Sequence, residues 1–137
     1  NYRPLTVETG FIAGAFCALV SENGSVGIVN DQKFPPVEDA AKGFEAGAKY
    51  INPDVEFRVA YTDSWSDVQN ASEAALGMIE AGTDVLASNC GTGIAGVVNA
   101  AVENDVLVTG YIGDQHALAP GTIPFSAIQH IGMVVYA

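Results

Sequence analysis

The stretch Asp84 to Ala101, DVLASNCGTGIAGVVNAA, constrains the fold more than any other part of the chain. Val85, Leu86 and Ala87 form a short apolar run of the kind that lies inside a parallel sheet, buried on both faces. Gly91 and Gly93 follow, and glycine lets a backbone turn sharply and come close to a ligand. Thr92 is placed to cap a helix whose apolar face is Ile94, Val97, Val98 and Ala101. The unpaired N–H groups at such a helix start face whatever lies above the C-terminal end of the strand. In an open α/β sheet that is where ligands bind.

The rest of the chain repeats this alternation. Thr6 to about Glu22 reads as a helix that Asn23-Gly24 stops, and Ser25 to Val29 as a short strand. After the loop Asn30 to Pro36, a helix runs from about Val37 to Ile51, with Glu38 and Asp39 in its first turn. Asn52-Pro53-Asp54 breaks it, and Val55 to Tyr61 is the next strand. The loop Thr62 to Ser66 carries the only tryptophan, Trp65, and leads into a helix from Asp67 to Glu80. Beyond the glycine turn come a helix ending near Asn104, a strand from Val106 to Ile112, a loop from Gly113 to Thr122 and a fifth strand from Ile123 to Ile128. The last residues, Ile131 to Ala137, read as the start of a helix. This order predicts the α/β class, a doubly wound parallel sheet in one domain spanning residues 1–137. The loops after the strands then converge on one edge.

Composition narrows the partners. Sixteen acidic residues against five basic ones give a net charge of -11, which argues against nucleic acid or an anionic membrane surface. The longest apolar stretch, Phe11 to Val20, is too short to span a bilayer and reads as a buried helix. The chain does not begin with Met and shows no signal peptide or lipobox, so Asn1 reads as the edge of a fragment or of a processed chain. Cys17 and Cys90 lie on different elements, and nothing in the sequence pairs them.

Each candidate site residue has a plain alternative. Trp65 is placed to stack on a ligand or to anchor its loop. Phe34 is a second stacking face or a packing partner of Pro35-Pro36. Asn89, Gly91 and Thr92 lie at the glycine turn. Asp114 and Gln115 are hydrogen-bonding candidates on a later loop, or caps of that loop, and His130 is another candidate, or satisfies the backbone where the last strand ends. Gly91-x-Gly93-x-x-Gly96 matches a dinucleotide fingerprint between a strand and a helix, but after the third strand rather than the first, and a tight structural turn is the favoured reading. Cys90 before a helix start has the position of an activated thiol, although a small buried residue fits it better. Neither histidine has metal-site spacing.

Several segments together resemble a known family: GFIAGA (10–15), VGIV (26–29), GFEAGAKYINPD (43–54), SWSD (64–67), IEAGTDVL (79–86), CGTG (90–93), GDQ (113–115) and LAPGT (118–122). In order and spacing they are similar to the basic membrane protein family of solute-binding lipoproteins, which includes purine nucleoside receptors of ABC transporters. The resemblance implies the second lobe of a two-lobed type I periplasmic binding protein. The first lobe would precede Asn1, and a returning segment would follow Ala137. It also implies a non-enzymatic role without cofactors, a small purine-like ligand, an ABC permease as membrane partner, and an extracytoplasmic location, periplasmic or lipid-anchored. Nucleoside receptors of the family tend to carry an aromatic near Val97, an acid at the position of Ile112 and a lysine near His130. Isoleucine offers ribose hydroxyls no acceptor. Members with a tryptophan at the position of Trp65 look closer, and for them a free purine base stacked on the indole is the implied ligand. Two other readings stay open: an NAD-binding enzyme domain, and a ligand-sensing domain of a signalling protein.

Overall fold

A computed structural model describes residues 6–112 and 114–128, with the side chains of Ile112 and Ile128 left aside. Five parallel strands form one sheet in the order β2-β1-β3-β4-β5: β1 (Ser25–Asn30), β2 (Glu56–Tyr61), β3 (Val85–Asn89), β4 (Leu107–Ile112) and β5 (Phe125–Ile128). The predicted doubly wound α/β lobe is borne out. Every residue of β1 is buried and β3 is buried up to Asn89, as their nearly continuous apolar runs require of central strands. β2 lies at the edge, where exposed Glu56 pairs with half-buried Arg58 at 2.9 Å.

Helices α1 (Thr6–Val20) and α2 (Pro35–Ile51) cover one face of the sheet. Helices α3 (Val68–Glu80) and α4 (Ile94–Glu103) cover the other. The α1–α2 contact is close because small residues face each other. A methyl group added at Gly14 would strike the Phe44 carbonyl, and one at Gly47 the Phe11 carbonyl. Beside this contact Phe16 stacks on Phe125 of β5, with ring centroids 4.3 Å apart.

Element ends differ from the sequence reading for local reasons. α1 stops at Val20 because the Asp84 carboxylate takes the amides of Glu22 and Asn23, at 2.7 and 2.9 Å, and the Ser21 hydroxyl. α2 begins at Pro35, two residues early, since proline fits a first turn whose N–H groups have no helical partner. α3 is capped by the Asp67 side chain, which accepts from the Asn70 amide at 2.9 Å. β5 begins at Phe125 rather than Ile123. Gly113, His130 and the expected helix over residues 131–137 lie outside the described residues. Among the described residues no helix is long and apolar enough to cross a membrane.

Candidate functional site

The sheet has one point where successive connections run in opposite directions. β1 passes its chain to α2 on one face, and its neighbour β3 passes its chain to α4 on the other. The C-terminal ends of β1 and β3 are therefore the topological switch point, where open α/β sheets hold ligands.

Polar residues gather there. Asn30 ends β1 and Asn89 ends β3, opposite each other in the register. Asn89 donates through Nδ2 to Asn30 Oδ1 at 3.1 Å. Asn30 is wholly buried, and its own Nδ2 has no partner. Tyr111 of β4 lies two residues past Thr109, the last β4 residue paired with β3, and packs on the α1–α2 face. The Tyr111 hydroxyl is likewise buried without a partner, and burial pushes its pKa well above the ordinary phenol value. Asp31 continues the ladder one residue past β1. Its amide donates to the Asn89 carbonyl at 3.0 Å, and its carbonyl accepts from the Asp63 amide at 3.1 Å. Its carboxylate accepts from the Gln32 amide at 2.7 Å. Burial raises the Asp31 pKa above the usual carboxylate range, and backbone hydrogen bonds oppose that shift.

The next strand end supplies an aromatic wall. The Thr62 hydroxyl donates to the Ser64 carbonyl at 2.8 Å, and the Ser64 hydroxyl accepts from the amides of Ser66 and Asp67. The Trp65 carbonyl takes the amide of Thr92 at 2.9 Å and its hydroxyl at 3.2 Å. The loop backbone is thus fixed to the glycine turn, while the tryptophan stays 56% exposed. Phe34, at the N-terminus of α2, is 36% exposed. Gly91 has φ +58, and a Cβ there would press on the Trp65 carbonyl. Gly96 lets α4 approach the Val68 carbonyl. Two glycines of the dinucleotide-like motif thus have packing duties within this fold.

The sequence-derived candidates separate into groups. Phe34, Trp65, Asn89, Gly91 and Thr92 come together around the ends of β1, β2 and β3. Thr92 does not cap α4. It lies in the short 3-10 turn Gly91–Gly93, Gly93 takes the cap position without a side-chain bond, and the Thr92 hydroxyl goes to Trp65 instead. Asp114 and Gln115 serve their own loop. Asp114 accepts from the His116 amide, while Gln115 accepts from the Tyr111 amide at 2.8 Å and donates its own amide to the Ser126 hydroxyl. His130 lies outside the described residues. Cys90 is buried beside the Ser88 hydroxyl, and burial raises its thiol pKa, the reverse of activation. Sequence reading did not single out Asn30, Asp31 or Tyr111. The available signal was the polar pair Asn-Asp directly after the apolar run of β1. Among the described residues no group of His, Cys, Asp and Glu is arranged to hold a metal ion. A recess of about 430 Å³ opens at the opposite edge of the sheet, near Glu22, Asn104 and Asp105, away from these groups. Its Asp84 carboxylate already holds the end of α1.

The comparisons agree with this architecture. The family model described as "ABC transporter substrate-binding protein PnrA-like" matches residues 6–137. Basic membrane protein B of Borreliella burgdorferi is 36% identical over 133 residues, which are 95% of this chain and 39% of that protein. The chain therefore spans well under half the length of this curated relative. Among solved structures, an ABC transporter solute-binding protein from Conexibacter woesei aligns with a TM-score of 0.71 at 30% identity, over 77% of this chain and 34% of that one. A transcriptional activator of the comK gene from Bacillus halodurans aligns with a TM-score of 0.82 at 30% identity, over 95% of this chain and 45% of that one. With the parallel sheet and its order, these matches give the lobe the type I periplasmic-binding-protein fold, and the chain belongs to the Bmp family of PnrA-like ABC transporter substrate-binding proteins.

Proposed function

We propose that this chain is one lobe, the second, of an extracytoplasmic solute-binding protein that delivers a neutral purine-like ring to an ABC permease. The observation that carries the reading is the strand-end edge itself: an exposed indole, on a loop whose backbone is bonded to the glycine turn, beside a polar switch point. An indole offers a flat ring a large contact at little entropic cost, and nearby amides supply directional hydrogen bonds. The role is binding rather than catalysis, with no cofactor, and the thiol best placed to be a nucleophile is buried and not activated. Phe34, Trp65, Asn89, Gly91 and Thr92 are the proposed contacts in this lobe, with Asp114, Gln115 and His130 as further candidates from the sequence.

Charge sets the order of preference. The protein carries -11, and Lys33 is the only cation on the loops after β1, β2 and β3. A phosphate gains little there, so a free base should bind best and a nucleotide worst. Calorimetry on the full-length protein with adenine, adenosine and AMP tests this. We expect affinity to fall in that order, and tighter binding of AMP than of adenine would overturn it.

The likeness to a comK activator supports a second reading, in which the same lobe reports a ligand to a regulatory segment. The flanking sequence separates the two: a lipobox upstream supports transport, and a DNA-binding or kinase segment supports sensing.

A further inference from the structure

We infer that Asp31 is a specificity-determining residue of this site, accepting a hydrogen bond from an N–H of the ring that Trp65 stacks. The inference rests on the proposed ring-binding function and adds to it the polarity of the ligand edge that faces β1.

The position is the first ground. Asp31 lies at the switch point, joined to Asn89 on one side and to Asp63 on the other through backbone hydrogen bonds. The Trp65 loop follows Asp63 directly, and the Trp65 carbonyl is bonded to the glycine turn after Asn89. Indole and carboxylate are therefore set on neighbouring strand ends.

The carboxylate's unused capacity is the second ground. Asp31 is only 7% exposed, and no ion pair among the described residues includes it. Its side chain receives hydrogen bonds from the Gln32 amide and its own, while a carboxylate has about four acceptor sites. Keeping a carboxylate in such cover is unfavourable unless it is used. Next to it the buried Asn30 Nδ2 has no acceptor, so the strand end is short of partners on both residues. The groups around Asp31 do not compensate its charge. They are Cys90 just past β3 and Asp63 of the Trp65 loop, while Lys33, two residues along the chain, sits over the Tyr61 ring at 5.7 Å. A neutral ring with an N–H donor fits this setting, and an anion does not.

The sign of the pH dependence follows from the raised pKa. A bound N–H favours the ionised carboxylate, so ligand affinity should fall as pH drops through the Asp31 value. For folding, a pKa raised by burial means that the ionised form costs stability at neutral pH, and that stability recovers on acidification. Asp31→Asn should therefore raise the melting temperature while weakening the ligand, an opposition that a purely structural carboxylate would not produce.

The test uses the full-length protein with two probes, adenine and 9-methylpurine, a ring with no N–H. Unmutated protein should prefer adenine by roughly tenfold or more, the worth of a hydrogen bond to a charged group. Asp31→Asn should lower adenine affinity by roughly threefold to thirtyfold and leave 9-methylpurine within about twofold, since the remaining amide oxygen is a weaker acceptor. As pH is lowered through the Asp31 titration, adenine affinity of the unmutated protein should fall and 9-methylpurine affinity stay level. Equal adenine affinity for the two proteins would overturn the inference while leaving ring binding intact. Failure of the unmutated protein to bind either ring would overturn the proposed ring ligand and this inference together.

Discussion

Trp65 is an unusual residue to leave in water. Its side chain is more than half exposed, while its carbonyl is held twice by Thr92. The backbone bonds anchor the loop, so the indole is not needed for that purpose. Removing the ring should cost the fold little. Trp65→Ala should weaken adenine binding by about 1–3 kcal/mol, the range for stacking a base on an aromatic side chain. Its melting temperature should stay within a degree or two of the parent's, because surface changes rarely alter stability by more than about 0.5 kcal/mol. Unchanged affinity in calorimetry would make Trp65 a bystander of the site. At this scale the sequence was partly readable. A lone tryptophan between a strand and a helix draws attention by itself. Asn30 and Asp31 did not stand out, because Asn-Asp after a strand also reads as an ordinary loop start. Only the pairing of β1 with β3, which links residues 59 positions apart at Asn30 and Asn89, places them together.

At the scale of elements the legible features were those with a period. The apolar faces of α2, α3 and α4 and the continuous runs of β1 and β3 were readable because burial imposes a spacing on them. Ends were less so, since they depend on single contacts: Asp84 on the amides after α1, and the Thr92 hydroxyl diverted to Trp65. The α1–α2 contact was not readable either. Gly10, Gly14, Gly43 and Gly47 look like helix-weakening residues in isolation, and their value appears only when the two helices meet. Gly14→Ala should destabilise the protein by about 1–3 kcal/mol, the usual cost of overpacking, because its methyl group meets backbone that cannot rotate away. Gly77→Ala provides the control. Gly77 is in α3, and a methyl group there meets nothing within 4 Å, so helix propensity should make that change stabilising by roughly 0.5–1 kcal/mol. Chemical denaturation of both variants measures the contrast. Equal stabilities would mean that the α1–α2 packing is looser than described.

At the scale of the whole molecule, the ligand's enclosure decides the energetics. Small-molecule sites bury roughly 70–90% or more of their ligand. An open strand-end edge, carrying an indole on one side and polar strand ends on the other, can cover only one side of a flat ring. Under the proposed two-lobed reading an opposing surface covers the other side, and the chain spans 39% of the length of its basic membrane protein B relative. Closure of two such surfaces on a hinge would then supply the missing contacts and exclude water. Residues 1–137 expressed alone should therefore bind adenine at least about a hundredfold more weakly than the full-length protein. That factor corresponds to about 2.7 kcal/mol, modest for the loss of one face of a stacked ring and its hydrogen bonds. A cooperative thermal melt would first establish that the lone chain is folded. Calorimetry on both proteins would then give the ratio, and Trp65 fluorescence would report any residual stacking in the lone chain. Submicromolar adenine binding by the lone, folded chain would mean that the ligand is enclosed within this domain, and that the two-lobed trap is the wrong description of the site.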